Sequence, residues 1–506
     1  MIKNQENLFI LDLANNHFGN LNHAKKIIKE FSKIIEKEKI SAAIKFQFRN
    51  LKTYINPSYI DSENKYIKRF QETKLSDHEY NEIFKLIKKN KIKTACTPFD
   101  EESVGKIENM KFDFIKIASV SSRDFSLLER VVKNKIPKII STGGLSLKEI
   151  DRIYSFMSKK KQNFALMHCV AVYPSKNSMS QINFIKNLIE RYKNVKIGWS
   201  THEDPNELLI GPLAYSLGAR IFERHIGIDD KKYKLNDYSS SPEIFQKWVQ
   251  NIIKAKKILG PTKFNQEKIT FQEEIKTLNS LERGLVSKKN IVKGDRLILG
   301  KNVNLMFPLE KKQLSAANFK NLNTFARFNI KKEEPILEKQ CELDKKIAAE
   351  YKIRSFVHEA KAMLNYANIK IKDKFDMEIS HHHGIKNFRK TGCFLLNLIN
   401  KQYAKKILIL LPNQKHPLHF HKIKEESFII LFGTLLLKDG KGSFNLKEGD
   451  VIHLKKSSWH NFIAGANGCI FEEISTTSLK NDSFYKSNKI NTQKLEQRKT
   501  FINKWI

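Results

Sequence analysis

Apolar residues in the first half of the chain gather into eight short runs, and polar or ionisable residues stand at the C-terminal end of each. The runs are LFILDL (8–13), SAAIKFQ (41–47), KTACT (93–97), DFIKIAS (113–119), KIIST (138–142), FALMH (164–168), VKIGWS (195–200) and ARIFERH (219–225). A helical pattern follows each run. Strands alternating with helices predict parallel βαβ units. Eight units in about 260 residues is the size of a (β/α)8 TIM barrel, whose chemistry sits at the C-terminal ends of its strands.

Period-two alternation assigns the faces. Ile10, Asp12 and Ala14 share one side of their strand, as do Ala43, Lys45 and Gln47, then Gly198, Ser200 and His202, then Ile221, Glu223 and His225. These sides are predicted to point into the barrel. The opposite sides, such as Phe9–Leu11–Leu13 and Ala42–Ile44–Phe46, suit packing on helices. Lys45 and Lys116 interrupt apolar strands, and a lysine is costly to bury there unless it meets an anion. Helix starts are marked by Ser76 with Glu79, Ser146 with Glu149 and Asp204 with Glu207, at or near capping-box spacing. Pro205 and Pro242 suit first-turn positions.

The barrel pattern is predicted over 1–262, ending in the helix 242–260, with a polar connector to about residue 281. A small β-rich domain is predicted at 282–343; its pieces NIVKGDRL and NIKKEEPI each read as strand, turn, strand. A helical linker (344–375) leads to closely spaced strands with Gly turns at 376–480, an antiparallel β-barrel or jelly roll. Residues 481–506 are polar and read as a peripheral tail.

The formal net charge of +37 changes this picture little. The lysines are spread along amphipathic helices such as AKKIIKEFSKIIEKEK, without a basic block or a nucleic-acid-binding module. They read as a solvated surface whose positive field helps recruit an anionic substrate. The five cysteines are scattered, without a CxxC pair, as suits reduced thiols. The N-terminal apolar run is too short for a signal peptide, and no stretch is long enough to span a bilayer. A cytoplasmic enzyme without nucleic-acid or membrane partners is expected.

The candidate chemistry gathers at the barrel mouth. His202 and His225 lie just beyond neighbouring strands, where two imidazoles can share one divalent metal; a purely structural pair is the equal alternative. Lys45, Lys116, Thr97, Ser119 and Ser200 converge there and suit a phosphate plus a carboxylate. Asp12, Gln47 and Tyr173 suit a polyhydroxylated substrate. The plainer alternative makes Lys45 a core lysine paired to Asp12 or Glu223.

These residues carry a resemblance. FILDLANNHFGN, IKFQ, CTPFD, FIKIAS, STGG, LMHCVAVYP, IGWSTHE and FERH occur in order over about 10–250. They resemble the sialic acid synthase family, N-acetylneuraminate synthase and its legionaminate and pseudaminate relatives. Residues 282–341 resemble the family's antifreeze-like (SAF) domain. The resemblance implies a manganese- or magnesium-dependent condensation of phosphoenolpyruvate with an N-acyl hexosamine-type aldose, giving a nine-carbon 2-keto acid and phosphate. It implies that His202 and His225 hold the metal, that Lys45, Lys116, Thr97, Ser119 and Ser200 hold phosphoenolpyruvate, and that Asp12, Gln47 and Tyr173 face the sugar or metal-bound water. It also implies a homodimer in which the SAF domain caps the partner's barrel. Asp12 replaces the usual glutamate, Ala171 a common Asn, and Ser121 lies near a family Glu. Phe307, in LMFP, stands where an Arg is expected. Asn236 or Asp237 replaces a sugar-binding aspartate. These departures fall mainly on the acyl-sugar pocket.

A second motif, HPLHFHKIKEESFIILFG with GDVIHLKKSSWHNF, resembles the two-part cupin signature over 376–478. Period two puts His419 and His421 on one strand face, while Glu426 and His460 are expected from neighbouring strands. Three imidazoles and a carboxylate suit a second transition metal. The leading expectation is a nonulosonate synthase with an appended sugar-binding or sugar-modifying cupin. The alternatives are a bifunctional or cupin-centred sugar isomerase or epimerase, and a sugar-binding protein with a degenerate barrel.

Overall fold

The computed structural model describes residues 7–260, 270–371, 375–476, 478–479 and 481–502. The eight runs form β1 (Leu8–Asp12), β2 (Ala42–Phe48), β3 (Lys93–Pro98), β4 (Phe114–Ile117), β5 (Lys138–Ser141), β6 (Phe164–Cys169), β7 (Lys196–Ser200) and β8 (Ile221–His225). They close in chain order into a parallel barrel, as the alternation predicts. β1 pairs with both β2 and β8, so Asp12 faces Lys45 on one side and His225 on the other.

The two strand faces separate as expected. Ile10, Ala43, Ala95, Phe114, Ile139, Met167 and Ile221 fill the barrel interior below the mouth. Phe9, Leu11, Ile44 and Phe46 pack outward with helix residues such as Ile27, Phe31 and Trp248. Gly198 marks the tightest point: a Cβ there would collide with Met167 Sδ and the Ile221 carbonyl oxygen. Gly198→Ala is therefore expected to cost about 1–3 kcal/mol by overpacking. Urea denaturation checks this; an unchanged midpoint would mean the interior has slack.

Ser76 and Ser146 cap their helices in complete capping boxes with Glu79 and Glu149, and Pro242 opens its helix behind Ser241. The expected helix start at Asp204–Pro205 is corrected. That segment is a loop, and the helix begins at Ile210. The buried Arg224 guanidinium explains why: one of its nitrogens donates to the carbonyls of Asp204, Pro205 and Glu207 at 3.0–3.5 Å.

The chain divides into two compact units, Met1–Thr262 and Lys263–Ile506. In the second, part of the expected polar connector is a helix, Gln272–Ser280, while 261–269 lie outside the described residues. β9 (Gly284–Ser287) pairs with β10 (Val303–Met306), and β11 (Thr324–Ala326) with β12 (Cys341–Leu343). The two similar pieces do not form separate hairpins. They pair with each other, Ile291 and Ile330 exchanging both backbone hydrogen bonds at 2.9 Å. Both side chains are buried in one small core with Leu285, Val303 and Ile336, which makes pairing between the pieces the arrangement that removes both from water.

After the helix Lys345–Tyr366 come β13 (Asp376–Ser380), β14 (Cys393–Asn400), β15 (Tyr403–Leu410), β16 (Lys415–Phe420), β17 (Glu426–Asp439), β18 (Gly442–Lys447), β19 (Val451–Leu454), β20 (His460–Thr476), β21 (Phe484–Tyr485) and β22 (Lys499–Ile502). All are antiparallel to their neighbours in one sheet system. The peripheral tail expected at 481–506 is corrected: β22 pairs along the edge of β13, and β21 along β16. The Asp482 carboxylate accepts the backbone N–H groups of Lys422, Ile423 and Lys424. A carboxylate with three backbone donors is a strong local anchor, and β22 covers an otherwise open strand edge.

Candidate active site and metal centre

At the barrel mouth the polar strand ends form one charged array. Lys45 Nζ lies 2.8 Å from Asp12 Oδ2 and 2.9 Å from Glu223 Oε1. Lys116 Nζ lies 3.3 Å from Glu223 Oε2 and donates to Ser141 Oγ at 2.5 Å. All four charged side chains are buried. Burial opposes the charge on Lys45, yet Asp12 and Glu223 hold its ammonium above the usual lysine range. Burial lowers Lys116 below that range, with Glu223 countering only in part. Burial pushes the Glu223 carboxyl up, but Lys116 and Lys45 outweigh it and hold the group well below ordinary glutamate. Both elements of the plainer reading, Lys45 on Asp12 and Lys45 on Glu223, are thus present together.

The other expected residues gather around this array. Ser200 Oγ donates to Glu223 Oε1 at 3.3 Å. Ser119 Oγ accepts from Gly143 N at 3.1 Å and lies 3.3 Å from Cys169 Sγ. The Thr97 hydroxyl is buried with no hydrogen bond. Gln47 accepts from Arg49. Tyr173 is half-exposed, its ring 4.2 Å from that of His202 and 5.3 Å from that of Tyr238. Asn236 is tied to the mouth through Asn16, to which it donates at 3.3 Å, whereas Asp237 is exposed.

The two mouth histidines lie side by side, and both rings are buried. Their ring centroids are 5.6 Å apart. His202 Nδ1 donates to the Val170 carbonyl at 2.7 Å, which frees Nε2. His225 Nδ1 is buried with no hydrogen bond and lies 3.4 Å from Asp12 Oδ2. Burial, reinforced by His225, lowers His202 to about 3, and burial lowers His225 against the pull of Asp12. Neutral imidazoles are the ligating form.

Glu223 was legible in the sequence as a face-mate of His225 and as one alternative partner of Lys45; its contact with Lys116 needed the closed barrel. Asn16 and Ser141 were missed as supports. So was Arg49, whose guanidinium sits 4.2 Å from the Phe70 ring and 3.6 Å from the Phe99 ring. Nothing in the spacing of these residues points to the site.

The second constellation lies in the C-terminal antiparallel sheet system. β16 carries His419, with His421 just beyond its end, and His419 pairs in register with His460 on β20. Ligand atoms of these three imidazoles lie within 4.8 Å of one another. Each Nδ1 donates to a backbone carbonyl: His419 to Pro417, His421 to Asp482 and His460 to Ser458. That fixes the tautomer and turns every Nε2 inward, as metal ligation requires. Burial lowers His421 to about 2 and His460 to about 4, so both are neutral. Glu426 Oε1 and Oε2 lie 3.4 Å from His421 Nε2 and His460 Nε2, while Lys424 contacts Oε1 at 2.5 Å. Among the described residues the compact ligand group holds the three imidazoles without Glu426.

The NeuB family model matches residues 35–264. The chain is 28% identical over 359 residues to an N-acetylneuraminate-9-phosphate synthase of Drosophila melanogaster, covering 65% of this chain and 94% of that one. It is 28% identical over 350 residues to an N,N'-diacetyllegionaminic acid synthase of Campylobacter jejuni, covering 66% and 100%. The crystal structure of a Chromobacterium violaceum protein assigned to spore coat polysaccharide biosynthesis superimposes with TM-score 0.63 and 35% identity, over 66% of this chain and 99% of that one. The barrel, its strand-end chemistry and these relatives agree: the chain belongs to the NeuB family of sialic acid and related nonulosonate synthases.

Proposed function

We propose that the N-terminal barrel joins phosphoenolpyruvate to the aldehyde of an N-acyl hexosamine-type aldose, forming a nine-carbon 2-keto sugar acid and releasing phosphate. The observation that carries this reading is the Asp12–Lys45–Glu223–Lys116 array beside two neutral histidines. In this reading Lys45 and Lys116 meet the phosphate and carboxylate of phosphoenolpyruvate, helped by the hydroxyls of Thr97, Ser119 and Ser200. Carbon 3 of phosphoenolpyruvate bonds to the aldehyde carbon, water adds at carbon 2, and the carbon–oxygen bond to phosphate breaks. His202 and His225 would hold a manganese or magnesium ion, which supplies Lewis-acid polarisation of the aldehyde oxygen. Asp12, Gln47, Asn236 and Tyr173 line the acceptor side, and the Tyr173 ring over His202 helps exclude water.

The remaining assignments are proposals of the same kind. Residues 282–343 form an SAF-like domain that caps the barrel of a second subunit, with the exposed Phe307 shaping the lid where relatives use an arginine. Residues 376–480 form a cupin with its own transition metal on His419, His421 and His460, and Glu426 beside them. A cytoplasmic location fits the lack, among the described residues, of any helix long and apolar enough to cross a membrane.

Phosphate release from phosphoenolpyruvate, assayed against N-acetylmannosamine, N,N'-diacetylated hexosamines and unmodified mannose, tests the reading. Release is expected with at least one N-acylated sugar, only with added divalent metal, from a protein that light scattering sizes as a dimer. Silence across the whole panel would overturn the synthase assignment; a monomer would remove the capping arrangement.

A further inference from the structure

Within the C-terminal antiparallel sheet system a cavity of about 260 Å³ opens beside His419 and His421. Small antiparallel barrels commonly fill their interiors with side chains. This sheet system keeps space, and six glutamate and lysine side chains face it: Glu378, Lys406, Lys424, Glu426, Glu473 and Lys499. Buried charges are costly, and they persist where each is paired. Here each is. Lys424 Nζ contacts Glu426 Oε1 at 2.5 Å and Glu473 Oε1 at 2.8 Å. Lys406 lies 3.5 Å from Glu473, and Lys499 lies 2.6 Å from Glu378.

The pairing constrains what enters. Three lysines face three carboxyl groups; burial pushes that of Glu426 up to about 7, but Lys406 and Lys424 are engaged by Glu473 and Lys499 by Glu378. A phosphate dianion would have to pull lysines away from glutamates that would then be left buried and unpaired. A hydroxyl both donates and accepts. It can give its hydrogen to a carboxylate and take one from an ammonium with the pairs intact. Asn397 and Ser380 add uncharged partners on the same wall, and Phe428 and Phe462 offer an apolar face. Alternating hydroxyls with one C–H face describe a sugar ring. His419 and His421, at the cavity edge, would help hold a metal able to supply a further contact for hydroxyl oxygens.

We propose that this cavity is a second carbohydrate site, which takes an unphosphorylated sugar through the paired carboxylates and ammoniums. The inference stands apart from the synthase reading, because none of its residues belongs to the N-terminal barrel.

Calorimetry on the full-length, manganese-loaded protein without phosphoenolpyruvate tests it. The probes are D-ribose, D-mannose, N-acetylmannosamine and the corresponding phosphates. The background is His202→Ala with His225→Ala, which silences the first site. At least one unphosphorylated sugar is expected to bind, at least about tenfold tighter than its phosphate, since the phosphate must break buried pairs. Glu473→Gln should weaken that binding at least about tenfold by removing a charged acceptor. Asn397→Leu leaves the ion pairs untouched and should weaken it in the same direction, so a folding defect in the first variant does not decide the matter. Absence of binding by every probe, a phosphate binding as well as its parent sugar, or full binding in both cavity variants would each overturn the proposal.

Discussion

Alanine at His202 or His225 is expected to cut metal-dependent phosphate release by more than about 100-fold, because loss of even an outer partner of a metal ligand costs about 10–100-fold. Both rings sit at strand ends, above the packed interior of the barrel, and His225 Nδ1 makes no hydrogen bond that the substitution would break. The variants should therefore stay folded, with an unchanged circular dichroism spectrum. His202 differs from His225 in one respect: its Nδ1 is spent on Val170. His202→Gln should accordingly recover little, because an amide cannot both anchor to that carbonyl and present a ligand atom in the same place. Full turnover by the double alanine variant under strict chelation would show that the pair is structural.

Glu223→Gln should be the most destabilising conservative change in the barrel. It leaves Lys116 buried without a charge partner and Lys45 with Asp12 alone. Breaking a buried pair in this way costs about 3–5 kcal/mol. The sign of the pH effect follows from the direction of the shift. Lys116 and Lys45 hold the Glu223 carboxyl below its unfolded value. Its stabilisation is therefore complete above the unfolded glutamate pKa of about 4.3 and is lost as pH falls through the lower folded value. The glutamine variant should lack that acid-dependent loss. Phosphoenolpyruvate, if it supplies the anion that both lysines need, should raise the variant's unfolding midpoint more than the wild type's. Equal ligand-induced shifts in urea melts would detach the lysines from phosphoenolpyruvate.

What could be read in the sequence, and what could not, divides along physical lines. Period two was enough to put Asp12, Lys45, Glu223 and His225 on inward faces, because alternation is a local property of a strand. Barrel closure is not local. Glu223 and Lys45 are not on paired strands; β1 lies between β2 and β8, so their contact depends on the curvature of the ring. The helix start at Asp204–Pro205 failed for a related reason. Its capping-box spacing is real, but Arg224 from β8 draws the backbone carbonyls of that segment toward itself and keeps it a loop. The tail was misjudged on polarity. Asp482 looks like any surface acid until three consecutive backbone N–H groups are found around it. The histidine triad was the most legible part, since two of its members are separated by one residue at the end of a strand. Lys424, two residues before Glu426, carried no signal that it would occupy that carboxylate.

The charge outside the protein and the charge inside its mouth point to different stages of an encounter. The chain carries +37 overall, a field that draws small anions in from a distance. Inside, the cations are already answered by Asp12 and Glu223. Abundant simple anions such as inorganic phosphate or sulfate are thus attracted to the vicinity but find no bare ammonium to lodge on. On the proposed reading, a molecule carrying two anionic groups at the right separation addresses both lysines at once, in place of the internal carboxylates. On that reading, capture is indiscriminate and retention is selective.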